Sequence, residues 1–189
     1  MNKLKSYLLL LLLSFTGVEL VAQEQSTNQG SVYDFFRAGI GFSSHYIKKS
    51  DYLELAVPHV FIEGYKEVPN PLEIGEVYVG VSAGFASYDW VTASNDKAGS
   101  ISFVNLGVTG YYFYPLTDQI TPYSGLGVFY NQPLVSFEPG FESNEEPESN
   151  LGYSWNVGVK YELTSNMAVF FEAGVGQLNL KTGIILYQN

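Results

Sequence analysis

Two histidines are present in this chain, and one of them follows two hydroxyl side chains. Ser43 and Ser44 directly precede His45, and a serine with a histidine and a carboxylate is the arrangement used for nucleophilic acyl hydrolysis. On an extended strand, Ser43 and His45 share a face while Ser44 points away. The sequence has no G-x-S-x-G motif and no His/Cys set at metal-ligand spacing. We therefore predict no catalytic residue, metal ligand or cofactor, and keep a hydrolase as an alternative.

A second concentration of reactive groups is the acidic, proline-containing stretch from Phe137 to Asn150. Carboxylate oxygens are the ligands that Ca²⁺ and Mg²⁺ prefer. The D-x-D-x-D-G core of an EF-hand is missing, however, so the spacing is not that of a known calcium loop. We interpret the stretch as a solvated loop, with a cation site as the alternative, and its carboxylates are Glu138, Glu142, Glu145, Glu146 and Glu148.

The elements that position such groups are best seen in residues 151–163, LGYSWNVGVKYEL. Large apolar residues alternate there with small or polar ones, which is the period of a β-strand. The apolar face is uniformly bulky, and the other face mixes glycine, Ser, Asn and one Lys–Glu pair. Only the second face fits inside a narrow barrel, so we place the bulky face outward, in lipid.

Similar alternation predicts eight strands, at about residues 35–43, 53–65, 75–88, 100–114, 121–130, 151–163, 167–176 and 179–187. Pro58 disturbs the second strand and predicts a bulge or a register shift there. The even number predicts an all-β fold, an eight-stranded antiparallel up-and-down transmembrane β-barrel. The aromatic side chains expected at the membrane interface are Tyr111, Tyr112, Tyr114, Tyr123, Tyr130, Tyr153, Trp155 and Tyr161.

This orientation puts charges of both signs inside the barrel. Unpaired burial of a charge is costly, so we expect the inward charges to pair. Paired charges would either plug the lumen or, by exchanging partners, gate a small pore. The candidate lumen network consists of Arg37, Glu63, Glu76, Lys160, Glu162, Glu172 and Lys181.

The start of the chain has the features of a secretory signal peptide. Lys3 and Lys5 precede a short apolar run, and cleavage is expected after Ala22. We assign residues 1–22 to the signal peptide, 23–34 to a flexible lead and 35–189 to the barrel. The net charge of −10 argues against nucleic acid as a partner.

The connections are expected to alternate in length. Those at about 44–52, 89–99 and 131–150 are long, and those at about 66–74, 115–120 and 164–166 are shorter. Long loops at one end and short turns at the other are typical of outer-membrane barrels, with both termini on the periplasmic side.

The segments RAGIGFSSHYIK, VYVGVSAGF, TPYSGLGVFYN and LGYSWNVGVKYELTSNMAVFFEAGVG together resemble a known family. It is that of the small eight-stranded outer-membrane β-barrels of Bacteroidetes type, the OmpA-like or outer membrane protein β-barrel domain family. The resemblance implies a Gram-negative outer membrane, insertion by the barrel assembly machinery, and contact with outer-membrane lipid and lipopolysaccharide. It carries no catalytic signature.

The function expected from these features is a non-enzymatic, monomeric outer-membrane barrel with a structural or surface-interaction role through long extracellular loops. The main alternative is a narrow porin-like channel for ions or small solutes. Two further alternatives are a lipid A-modifying hydrolase that uses Ser43 or Ser44 with His45, and a soluble lipocalin-like binder with its apolar face inward.

Overall fold

The computed structural model of the chain consists of eight β-strands. It describes residues 32–42, 53–70, 74–92, 96–139, 148–176 and 179–188. The strands are β1 Phe35–Phe42, β2 Leu53–Val68, β3 Glu76–Val91, β4 Lys97–Phe113, β5 Ile120–Phe137, β6 Asn150–Thr164, β7 Met167–Gly176 and β8 Leu180–Tyr187. Of the expected divisions, the signal peptide and most of the N-terminal lead lie outside the described residues.

Each strand pairs antiparallel with its neighbours in sequence, and β1 pairs with β8 to close the barrel. The closing register runs from Phe35 opposite Tyr187 to Phe42 opposite Leu180. Beyond it, the Gln188 amide donates to the Asp34 carbonyl at 2.9 Å. The predicted eight-stranded up-and-down barrel is confirmed.

The two faces of the wall are chemically distinct. Leu126, Tyr153 and Trp155 point outward and are exposed by 66, 71 and 53 %. Asn156, which directly follows Trp155 on β6 and points the other way, is buried at 1 % exposure. The predicted orientation is therefore confirmed, with bulky groups outside and polar groups in the bore, and it contradicts a lipocalin-like core.

A bulge interrupts the β2–β3 pairing at the predicted place. The register shifts between Leu55 and Val57 and again between Val57 and Val60. Pro58 lies between Val57 and Val60, in the second of these shifts. Proline has no backbone N–H, and at a bulge its absence does not cost a regular β-sheet hydrogen bond.

We call the end of the barrel at which β1 begins and β8 ends the terminal end, and the opposite end the loop end. At the loop end the connections cover 43–52, 92–96, 138–149 and 177–179, and at the terminal end 69–75, 114–119 and 165–166. The expected long connection at 89–99 is therefore wrong, because β3 and β4 continue as strands to Val91 and from Lys97.

Among the described residues, no helix is both long and apolar enough to span a membrane.

Candidate functional site

Four charged side chains meet in the middle of the bore, and we call them the charge cluster: Arg37, Glu63, Glu172 and Lys181. Arg37 Nη2 lies 2.8 Å from Glu172 Oε2, and Arg37 Nε lies 3.4 Å from Glu63 Oε2. Lys181 Nζ lies 2.7 Å from Glu172 Oε1 and 3.5 Å from Glu63 Oε1. All four are buried. Two cations thus face two carboxylates, and the cluster is balanced in charge.

The local pairing explains why these four residues meet. Arg37 on β1 lies directly opposite Glu63 on β2, and Glu172 on β7 lies opposite Lys181 on β8. Because β1 also pairs with β8, the four carrying strands are consecutive around the closing seam. Alternation turns all four side chains to the same inner face.

Tyrosine hydroxyls complete the cluster. Tyr111 donates to Glu172 Oε2 at 3.0 Å, and Tyr123 donates to the same oxygen at 3.2 Å. Lys181 Nζ in turn donates to the Tyr111 hydroxyl at 3.1 Å. The Arg37 guanidinium lies 4.0 Å from the centre of the Phe170 ring. Such contacts favour a cation held away from water.

An aromatic layer fills the bore between the charge cluster and the terminal end. Phe35 is its hub, with ring centres 4.9–6.1 Å from its neighbours. The layer consists of Phe35, Tyr65, Tyr78, Phe113 and Tyr187. Phe113 also lies 4.8 Å from the Tyr123 ring, so the layer joins the cluster without a break.

A chain of polar side chains crosses the bore on the loop side of the cluster, and we call it the amide ladder. It runs from His59 on β2 through Asn105 and Asn131 to Asn150 on β6. A cavity of ≈ 20 Å³ lies between this ladder and the charge cluster. Sequence reasoning did not predict the ladder. The feature of the sequence that could have indicated the ladder is an inward-facing asparagine on each of β4 and β5. These two residues, Asn105 and Asn131, lie directly opposite each other.

The other residues of the expected network lie apart from the charge cluster. Lys160 and Glu162 pair with each other at 2.8 Å, nearer the terminal end, and both are partly exposed. Tyr187 donates to Glu162 at 2.7 Å. Glu76 is exposed and accepts a hydrogen bond from Tyr78 at 3.1 Å. The structure therefore divides the seven residues into the cluster of four, one pair and one separate carboxylate.

Two of the tyrosines expected at the membrane interface are inside the bore instead. Tyr111 is exposed by 1 % and Tyr123 by 5 %. A ring fits there because each lies over a glycine of the next strand: a Cβ at Gly125 would come within 2.3 Å of Tyr111, and one at Gly158 within 2.5 Å of Tyr123. For these two residues the interface assignment was wrong.

The remaining candidates are only partly described. Ser43, Ser44 and His45 lie outside the described residues, as do Glu142, Glu145 and Glu146. Glu138 and Glu148 are exposed at the loop end. Within the described ranges, no group of three or more His, Cys, Asp or Glu side chains is placed to hold a metal ion.

A closed antiparallel barrel with an apolar outer belt and a charged bore defines the chain as a membrane-spanning β-barrel. A family model described as "Outer membrane protein beta-barrel domain" matches residues 8–186, and the chain belongs to that family. The solved structure of the outer membrane protein OprG from Pseudomonas aeruginosa is similar at 16 % identity and a TM-score of 0.46, over 82 % of this chain and 90 % of that one. No curated protein matches the chain.

Proposed function

We propose that this chain is a non-enzymatic, closed barrel of the outer membrane that acts in membrane structure or surface interaction through its loop end. The single observation that carries the proposal is the filling of the bore. The charge cluster occupies its middle, with all four side chains buried. The aromatic layer follows toward the terminal end with ring contacts of 4.9–6.1 Å. An eight-stranded barrel leaves little more than the space of its own side chains.

Conductance of the refolded full chain in planar bilayers tests the closed bore. We expect no current above the lipid baseline for the wild type, and none for Arg37→Ala or Glu172→Ala, because the aromatic layer stays in place in both variants. Steady current through the wild-type protein would overturn the closed-barrel proposal.

A role at the loop end requires a test in cells. Cells that lack the protein are complemented with the wild type or with a variant in which 138–149 is replaced by a short Gly/Ser turn. We expect both proteins to reach the outer membrane and to migrate faster in unboiled than in boiled gel samples. Only the wild type is expected to restore detergent resistance or surface adhesion. If the wild type and the variant restored detergent resistance or adhesion equally, the connection 138–149 would have no part in the proposed role.

A narrow channel is the second candidate, and one feature of the cluster favours it. Arg37 and Lys181 each contact both Glu63 and Glu172. The cations can therefore exchange carboxylates without leaving a charge unpaired, which is what a gate made of ion pairs requires. The channel alternative predicts wild-type current that increases in Glu172→Ala.

The proposed partners are outer-membrane lipid, lipopolysaccharide and the barrel assembly machinery, and the proposed state is a monomer exported by an N-terminal signal peptide. Mass spectrometry of the protein from isolated outer membranes tests the export, with a mature N-terminus near Gln23 expected. Mass spectra of lipid A from cells with and without the protein test the absence of enzyme activity. A difference in lipid A acylation between the two kinds of cells would show that the protein acts as a hydrolase and would contradict the proposed non-enzymatic role.

A further inference from the structure

The amide ladder has a direction that fixes the state of its histidine. Asn131 Nδ2 donates to Asn150 Oδ1 at 2.9 Å, and Asn105 Nδ2 donates to Asn131 Oδ1 at 2.5 Å. This leaves Asn105 Oδ1, a pure acceptor, 2.9 Å from His59 Nε2. Nε2 must therefore carry the proton, and in a neutral imidazole the other nitrogen, Nδ1, is then an acceptor.

The neutral ring is also the form that suits the surroundings. The His59 side chain lines the same cavity as Lys181 and Glu63. The charge cluster already balances two cations with two carboxylates. An imidazolium would add a third buried cation with no carboxylate to balance it.

Four polar atoms of the residues that line the cavity have no hydrogen-bond partner among the described residues: His59 Nδ1, Glu63 Oε2, Ser82 Oγ and Asn156 Oδ1. Glu63 Oε2 is ion-paired with Arg37 Nε at 3.4 Å, which leaves the other three atoms. His59 and Asn156 are more than nine-tenths buried. The Asn156 amide is oriented by its Nδ2, which donates to Ser154 Oγ at 3.3 Å. Two of the three unpartnered atoms are thus acceptors, and the third is a hydroxyl that either donates or accepts.

These atoms require a small, neutral hydrogen-bond donor. A cation is disfavoured because the Lys181 ammonium lines the same wall and the cluster is already balanced. An anion is disfavoured because the two acceptors would repel it. The cavity volume of ≈ 20 Å³ admits about one water molecule, which needs 2–4 polar partners.

We propose that this cavity is a binding site for one long-lived water molecule, which donates to His59 Nδ1 and Asn156 Oδ1 and has Ser82 Oγ as its third partner. Through this water the amide ladder, which ends at Asn150, is joined to Ser82 on β3 and to Asn156 on β6.

Nuclear magnetic resonance of the full chain in lipid nanodiscs tests the proposal, because the chain has only two histidines. In a His45→Gln variant with ¹⁵N-labelled histidine, the remaining ring signals belong to His59. We expect the Nε2–H tautomer, an Nδ1 nitrogen shifted as a hydrogen-bond acceptor, and a cross-peak from the ring to water whose sign marks a bound molecule. A proton on Nδ1, or a ring without this cross-peak, would overturn the proposal.

A cavity-filling variant supplies the second measurement. Ser82→Val replaces the hydroxyl by a methyl group and adds a second methyl group, so the water cross-peak should be lost while the Nε2–H tautomer stays. Thr109→Val is the matched control, since Thr109 is fully buried and its Oγ1 also lacks a partner, but it does not line the cavity. Loss of the cross-peak in both variants, or in neither, contradicts the site. Should Ser82→Val fail to fold, the His45→Gln spectra decide alone.

Discussion

Glu172 is the residue on which both buried cations of the bore depend most. Its two oxygens take the shortest contacts of the cluster, at 2.8 Å from Arg37 and 2.7 Å from Lys181, and also the hydroxyl groups of Tyr111 and Tyr123. Its removal leaves Glu63 alone to balance two cations. We therefore expect the loss of this one carboxylate to destabilise the barrel more than the loss of a carboxylate with a single partner.

We predict that Glu172→Gln lowers the free energy of unfolding by about 3–5 kcal/mol, the usual loss when one partner of a buried ion pair is removed. Urea unfolding from phospholipid vesicles, followed by tryptophan fluorescence, measures it. Glu172→Gln/Lys181→Met restores one cation to one carboxylate and should be more stable than Glu172→Gln. Exposed Glu138→Gln is the control and should stay near wild type. A double variant weaker than the single one would contradict charge balance as the cause.

Asp34 lies just outside β1 and gives a prediction for pH. Partial burial alone would raise the pKa of its carboxyl, but hydrogen bonds from the Glu67 amide at 2.6 Å and from Lys66 at 2.7 Å, with the Lys66 charge, bring that pKa below its usual 3.8. The pKa of Asp34 is lower in the folded protein than in the unfolded chain. The ionised carboxylate therefore stabilises the fold at pH values above the pKa of the unfolded chain, and this stabilisation is lost as the pH falls through the pKa of the folded protein.

Asp34→Asn should therefore cost stability at pH 7, by under about 1 kcal/mol because the pair is exposed. The difference from wild type should shrink as the pH is lowered below 3.8. Urea unfolding of both proteins at pH 7 and again below the usual pKa of 3.8 measures this difference in stability. Asp118→Asn is the control, because Asp118 is exposed at the same end of the barrel. A difference that grows in acid would show that the carboxylate does not act through its charge.

At the scale of the strands, inward rings and inward glycines are matched across neighbouring strands. Tyr111 on β4 covers Gly125 on β5, and Tyr123 on β5 covers Gly158 on β6. Because glycine has no side chain, the two rings can pack against the wall in positions where both tyrosine hydroxyls donate to Glu172. Glycine in these strands is thus part of the site, because it positions the two tyrosines.

We predict that Gly125→Ala destabilises the barrel by about 1–3 kcal/mol, the usual cost of overpacking. Its Cβ would lie 2.3 Å from the Tyr111 ring. Gly110→Ala is the matched control, because its Cβ points outward and its nearest neighbour, the Tyr78 carbonyl oxygen, lies at 3.9 Å. Unfolding midpoints in urea compare the two. Equal losses would show that the effect comes from glycine in a strand as such and not from the ring.

The pattern of the strands could be predicted from sequence far better than the contents of the bore. Alternation locates the faces of β6 and β7 because a period of two needs no tertiary information. It fails at β5, where Phe129 points in and Tyr130 points out, so rings occupy both faces. β5 also continues past Pro133 to Phe137, because its ladder with β6 stops at Asn131 and a proline is tolerated at such an edge.

The inward charges were predictable as a set, but their grouping was not. Which of them meet depends on the register between strands, and a shift of one residue would turn every side chain to the other face. Arg37 meets Glu63 because the two are directly opposite in the β1–β2 register, while Glu76 lies near the terminal end, opposite Phe113. Register is set by packing around the whole barrel, which one strand's pattern does not contain.

At the scale of the molecule, the wall is unequal in height. β1 and β8 have 8 residues each, whereas β2, β3, β4 and β5 have 16, 16, 17 and 18. A membrane-crossing strand needs about 9–11 tilted residues. The longer strands therefore continue beyond the apolar belt. Near the loop end β3 and β4 carry a solvent-exposed ion pair, with Lys97 Nζ 2.6 Å from Asp89 Oδ1.

The two tryptophans of the chain lie on opposite sides of this wall and report its placement in lipid. Trp155 points outward in the belt, opposite Leu126 and Val175, and is exposed by 53 %. Trp90 points inward near the loop end, packed on the buried group that includes Tyr88 and Phe103. Acyl chains should therefore touch Trp155 and not Trp90.

Brominated acyl chains quench a tryptophan only on contact, so vesicles that contain them can separate the two residues. In Trp90→Phe, where Trp155 alone emits, we expect strong quenching. In Trp155→Phe, where Trp90 alone emits, we expect little. Aqueous iodide is the complementary probe and should leave Trp155 unaffected. If Trp155 were instead protected from the lipid quencher, the bulky face of β6 would not meet acyl chains, and the placement of the barrel in the membrane would have to be abandoned.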